Sequence, residues 1–83
     1  MSHSLHLEII SPTGILFKGA CHMVVIPSIE GDIGVMHSHE SIMVTLKAGQ
    51  IAIYDDKQNI TKTFDVENGF AEQSAEKFLI LVG

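Results

Sequence analysis

Tryptophan is absent from the 83 residues, cysteine occurs once, proline twice, and lysine and arginine together only five times. Each shortage excludes something. A single cysteine, Cys21, cannot form an internal disulfide, so the fold has to rest on its apolar core. Ten acidic residues outnumber the five basic ones, for a net charge of −5. No basic footprint exists to displace counterions from a phosphate backbone, so nucleic acid is not an expected partner. An anionic lipid surface is disfavoured for the same reason. Aromatic residues make up only 6% of the chain, with Tyr54 the one tyrosine, which argues against the aromatic platforms of a carbohydrate-binding sandwich. The longest apolar runs, at 23–27 and 78–82, fall far short of the ~20 residues a membrane helix needs, so no direct membrane insertion is expected. The N-terminus shows no basic segment ahead of an apolar stretch, so no signal peptide is expected.

What the chain does have is apolar material, 46% of its residues, with a mean hydropathy of +0.29. Ordering a chain of this size costs on the order of 100 kcal/mol of conformational entropy. The apolar content offsets that through one modest core. About 60–65% of the unfolded surface is buried at this length, which leaves no room for a deep catalytic cleft. A single domain, 1–83, is expected.

The hydropathy pattern changes every few residues, and Gly, Pro, Asn or Asp usually marks the change. Leu5, Leu7 and Ile9 alternate with His6 and Glu8, the period of a half-buried strand. Ser11-Pro12-Thr13-Gly14 reads as a turn, residues 15–18 as a short strand ended by Gly19, and 21–27 as one β-branched core strand. Residues 29–32 read as a tight connection, 33–36 and 42–46 as strands, and Lys47-Ala48-Gly49 as another turn. Strands follow at 50–54 and 60–66, with a polar hairpin loop at 55–59 between them. Residues 70–73 and 78–82 close the series. Segment 69–77 carries too few apolar residues to anchor a helix. Many short strands with frequent turns predict an all-β sandwich or barrel.

Few constellations could carry chemistry. In an extended segment, His37 and His39 share a side and could ligate a transition metal. Their spacing from Gly31 matches the first half of a cupin metal motif. The match then fails, because Met43 and Val44 stand where a Glu is needed and no His follows His39. A small metal-binding, cupin-like module is therefore the alternative reading, and no metal is expected. Cys21 and His22 are adjacent in an extended run and point to opposite faces, so the imidazole cannot activate the thiol. The serines lie in turns, outside any nucleophile-elbow pattern. The carboxylate pairs Asp55/Asp56 and Glu30/Asp32 also lie in turns, where acids are common for local reasons. No glycine-rich cradle for phosphate is present, and no cofactor is expected. The segment 28–41, polar at both ends with a small apolar piece between, has the composition of a docking loop.

Five motifs in order carry a resemblance. Leu5-His6-Leu7-Glu8-Ile9-Ile10-Ser11 followed by Leu16-Phe17-Lys18-Gly19 resembles the opening of ATP synthase epsilon subunits. Glu30-Gly31-Asp32-Ile33-Gly34-Val35 resembles the family's EGE loop, and His39 falls on the His of its PGHAP segment. Leu46-Lys47-Ala48-Gly49 resembles its LKPG, and Asn68-Gly69-Phe70 its SGGF. The departures are the lost prolines and glycine around 37–41, Ala48 in place of a proline, and Glu72-Gln73 after the last motif. The resemblance implies a two-sheet β-sandwich of about ten short strands. It implies a non-catalytic rotor subunit in the central stalk of a proton-translocating bacterial enzyme, peripheral at the cytoplasmic face of the inner membrane. Partners implied are the gamma subunit, through Ser11, His39 and Glu40, and the c-subunit ring, through Glu30, Gly31 and Asp32. Family members usually continue into a C-terminal helical hairpin. This chain stops at Gly83, where the sandwich is expected to end, so the hairpin and the ATP binding that goes with it are expected to be absent here.

Overall fold

The computed structural model describes residues 4–37, 40–74 and 77–83. Among them lie nine strands and no helix. The strands are β1 (Leu5–Ser11), β2 (Gly14–Cys21), β3 (Met23–Ser28), β4 (Gly31–Met36), β5 (Ile42–Leu46), β6 (Gly49–Tyr54), β7 (Ile60–Val66), β8 (Gly69–Ser74) and β9 (Lys77–Val82).

The strands form one continuous sheet, β2-β1-β9-β8-β5-β3-β6-β7 with β4 beside β3, which curls into two layers, β2-β1-β9-β8-β5 and β4-β3-β6-β7, around a shared core. Every pairing is antiparallel except β1 with β9, which puts the first and last strands side by side in parallel. The layers meet at one pairing, Ser28 with Leu46. Two backbone bonds reinforce it: Ile29 N–H donates to the Thr45 carbonyl at 3.1 Å, and Lys47 N–H to the Pro27 carbonyl at 2.9 Å. Between the layers lies one core. Leu5, Leu7, Ile9, Ala71, Phe78 and Ile80 enter it from the first layer, and Val24, Ile26, Val35, Ile51 and Ile53 from the second. The period of two along each strand selects these residues, since successive side chains leave opposite faces. On the open side, the Phe17 and Phe64 rings meet edge to face at 6.4 Å and close β2 against β7.

The all-β sandwich expected from the sequence is thus observed, with nine strands in the described residues. Three local readings change. Gly19 does not end its strand: it pairs with Leu7, and β2 runs on to Cys21. The apolar run 21–27 is not one strand. It breaks at His22, so that Cys21 ends a strand of one layer and Met23 begins a strand of the other. Lys47-Ala48-Gly49 does not reverse the chain. β5 and β6 follow one another along the same partner, β3, with Leu46 beside Ser28 and Ala52 beside Val25. The three residues are the corner by which the chain passes between layers, and extra residues of this kind bend a strand.

The registers sort the connections between the two ends of the sandwich. At one end lie the β1–β2 turn, the β3–β4 turn, the 47–49 corner, the β7–β8 link and Gly83. At the other lie Ser4, the Cys21–His22 break, the β4–β5 connection and the β6–β7 hairpin. Strands of about six residues hold these ends roughly 20 Å apart.

Candidate docking site

Ser28 builds the β3–β4 turn. It ends a core strand and is 1% exposed. Its Oγ accepts from Glu30 N–H at 3.0 Å and donates to the Gly31 carbonyl at 2.6 Å. One hydroxyl therefore satisfies two backbone groups of a two-residue loop, Ile29 and Glu30. Gly31 sits at φ +120, a conformation that a side chain resists. Nothing lies within 4 Å of where its Cβ would be, so the backbone angle alone requires glycine. Glu30 projects from the loop and Asp32 from the first residues of β4, where it pairs with Pro27, and both are exposed. Asp32 thus belongs to a strand rather than to the turn. The three residues Glu30, Gly31 and Asp32 are together at one end of the sandwich, presenting two carboxylates to solvent.

Ser11, at the same end, is half-buried and engaged in its own turn. Its Oγ donates to the Gly14 carbonyl at 3.1 Å, lies 3.1 Å from Thr13 Oγ1, and accepts from Thr13 N–H at 3.3 Å. Glu40 is exposed and lies at the opposite end, just before β5. The structure therefore does not bring Ser11 and Glu40 together. His39 lies outside the described residues. So does the second half of the histidine pair considered as a metal site. Among the described residues no group of three or more His, Cys, Asp and Glu side chains is placed to hold a metal ion.

A row of apolar side chains crosses the outer face of the first layer. Ile15 pairs with Ile10, Ile10 with Leu81, and Leu81 with Phe70. Ile15 and Phe70 are each 59% exposed, and Met43, one row away beside Glu72, is 76% exposed. Such a contiguous apolar row is a candidate protein-interaction surface. No motif in the sequence singles this row out, yet a signal exists. In β9 both faces are apolar, with Phe78, Ile80 and Val82 inward and Leu79 and Leu81 outward. On the same face the Lys77 ammonium lies 2.8 Å from the Glu8 carboxylate. The hydrogen bond from Lys77 holds Glu8 below the usual carboxylate range, and the charges of Lys77 and Lys18 add to the effect.

The Cys21–His22 break borders a shallow cavity of about 260 Å³, with Tyr54, Asp55 and Asp56 on its far side. Partial burial pushes the Cys21 thiol up to about 11, away from reactive thiolate. Asp55 is bound into its own loop. Its Oδ1 accepts from Lys57 N–H and Asn59 N–H, both at 2.9 Å, and those bonds, Asn59 foremost, lower its pKa. Among the described residues no helix is long and apolar enough to cross a membrane.

Known proteins share this sequence and fold. Residues 4–83 match the family of the ATP synthase delta/epsilon chain β-sandwich domain. The chain is 39% identical over 77 residues to the ATP synthase epsilon chain of Caulobacter vibrioides, covering 93% of this chain and 87% of that protein. It is 40% identical over 81 residues to that of Maricaulis maris, covering 98% of this chain but 59% of its relative. The epsilon chain of Campylobacter fetus is 34% identical, with 61% of its length spanned. This chain thus spans most of one relative and about three fifths of others. In fold it superposes on a chain of the Euglena gracilis mitochondrial ATP synthase, from a structure of its OSCP, F1 and c-ring parts, with TM-score 0.85 at 17% identity. That match covers 99% of this chain and 52% of the other. A chain from the central stalk and c ring of the Tetrahymena thermophila enzyme gives TM-score 0.78 at 12% identity, covering 98% and 64%. Matched by that family over residues 4–83 and 39% identical to an epsilon chain that it covers to 87%, this chain belongs to the ATP synthase epsilon chains, in the family of their β-sandwich domain.

Proposed function

We propose that this chain works by binding, as a central-stalk rotor subunit that docks the gamma subunit to the c-subunit ring and helps couple rotation to ATP synthesis. It does so in a proton-translocating bacterial ATP synthase, held peripherally at the cytoplasmic face of the inner membrane through its partners. No catalytic step is assigned to its own residues. The observation that carries this reading is the pairing of two unlike surfaces at one end of a rigid sandwich. One is the apolar row through Ile10, Ile15, Phe70 and Leu81, and the other is the acidic turn of Glu30 and Asp32. An apolar face supplies affinity and an exposed charged turn supplies orientation.

In this reading the apolar row and the neighbouring Ser11 meet gamma, and Glu30, Gly31 and Asp32 meet the c ring. Glu40 extends the gamma contact to the other end of the sandwich, and His39 is the remaining gamma candidate. The gamma surface then has to run the roughly 20 Å length of the strands.

The test is the double variant Glu30→Lys/Asp32→Lys. Both side chains are exposed, so melting temperature should hold, because exposed ion pairs are worth only about 0–1 kcal/mol. Binding to the c ring and proton-coupled ATP synthesis in reconstituted vesicles should fall. Gly31→Val is the contrasting control: its strained φ should lower stability by about 1–3 kcal/mol. A double variant that is stable and fully coupled would show that this turn is not a docking surface.

A further inference from the structure

The outer face of the first layer carries charge beside its apolar row. Lys18 pairs with Glu8, and Glu8 with Leu79. Glu8 precedes Ile10 by two residues in β1, so it points to the same face about 7 Å along the strand. His6 and Lys77 pair in the row beyond. A dent of about 160 Å³ opens here, with His6, Glu8, Lys18 and Lys77 around it. Leu7 and Gly19 also line it. Leu7 is buried and Gly19 has no side chain, so backbone forms the floor. The volume is below that of cofactor sites and suits a single polar side chain.

The charges at the dent do not balance. Among the described residues Glu8 is its one carboxylate, and the Lys77 ammonium holds it at 2.8 Å. Lys18, exposed on β2, acts electrostatically on the same carboxylate. Two ammonium groups therefore share one carboxylate, a local positive excess on a chain of net charge −5. Glu72 lies on the same face beyond Leu79, two strands from Glu8, or roughly 10 Å.

We infer, resting on the gamma reading above, that this dent takes a carboxylate side chain of the partner and that Lys18 determines its charge preference. Apolar side chains beside that carboxylate cover Ile10, Ile15 and Leu81, one row away. The dent is continuous with the apolar row, and its positive excess attracts an acidic group and repels a basic one. The acidic turn of Glu30 and Asp32 has the opposite preference. Surfaces that select opposite signs keep two partners from exchanging places.

The experiment measures binding of the whole chain to purified gamma subunit at low and high salt. The variants are Lys18→Gln, Lys18→Glu, Glu8→Gln and Phe70→Ser. Lys18→Glu is expected to weaken binding at least tenfold, because it sets two like charges against each other. Its melting temperature should hold, since Lys18 is exposed. Added salt should weaken wild-type binding more than that of Lys18→Gln. Glu8→Gln removes the carboxylate that competes for both lysines, so binding should tighten about threefold. A purely structural Glu8–Lys77 pair would instead lower the melting temperature and leave binding no tighter. Should Lys18→Glu fail to fold, the salt dependence of Lys18→Gln carries the test. Wild-type affinity and salt dependence in both Lys18 variants, with weak binding by Phe70→Ser, would overturn the dent and leave the gamma reading in place. Tighter binding by Lys18→Glu would assign this face a basic partner group and overturn the inference. A wild-type chain that fails to bind gamma would remove the gamma reading and the inference together.

Discussion

Ser28 and Asp55 each use one side chain to hold a loop, and they differ in burial. Ser28 is buried, so Ser28→Ala leaves the Glu30 N–H and the Gly31 carbonyl without their partner. The expected loss is about 1–3 kcal/mol. For a domain of this size each kcal/mol corresponds to roughly 4–8 °C in melting temperature, so calorimetry resolves it. A melting point within a degree of wild type would mean that water replaces the hydroxyl. Asp55 is half-buried, and its role is read by pH. Its folded pKa lies below the unfolded value of about 3.9, because backbone N–H groups bind the charged form. Its contribution is therefore present above pH ~4 and is lost as pH falls through the folded value. Asp55→Asn removes that titration. The gap in urea midpoint between wild type and Asp55→Asn should shrink from pH 5 to pH 2, and a gap that stays constant would assign the loop's stability elsewhere.

At the scale of elements, the corner between β5 and β6 decides the architecture. It passes the chain from one layer to the other while both strands keep β3 as neighbour. The close approach there is between Gly49 and Pro27. A Cβ on Gly49 would lie 2.7 Å from Pro27 Cβ and 3.1 Å from its Cγ. A proline ring cannot swing aside, so Gly49→Ala forces the layers apart at the corner. The expected cost is about 1–3 kcal/mol, seen as an earlier midpoint in urea. Unchanged stability would mean that the corner yields without strain. The turn residues around position 48 were visible in the sequence, but the sense of the bend was not. A Gly-containing break reads the same whether the chain reverses or changes layer. The same ambiguity hid the break at His22, since the residues on either side are apolar and suit a strand equally well.

At the scale of the molecule, the two layers bury one face each and leave the other to water or to a partner. The outer row through Phe70 and Leu81 belongs to the second kind. Phe70→Ser is expected to keep the melting temperature within about 2 °C, because an exposed side chain makes little of the core. It should weaken gamma binding at least tenfold. Binding at wild-type strength would move the gamma contact to another face. The charge asymmetry acts at this scale too. A net charge of −5, with two of the ten acids at the β3–β4 turn, favours encounter with basic surfaces and works against anionic lipid.

The sequence by itself determined the strand class, the core face of β1 and the excess of acid. Those follow from period-two alternation and composition, which are local. Leu5, Leu7 and Ile9 announce their burial without any knowledge of what covers them. It also determined that Glu30, Gly31 and Asp32 would lie together, since they are neighbours in the chain. The tertiary structure decided what depends on residues far apart in sequence. It set Ser11 and Glu40 at opposite ends, lined up Ile15, Ile10, Leu81 and Phe70 in one row, and gathered Glu8, Lys18 and Lys77 around one dent. Strand order and register decide these placements. They are chosen by the joint packing of both layers around Phe78 and Ile80, which no single segment encodes.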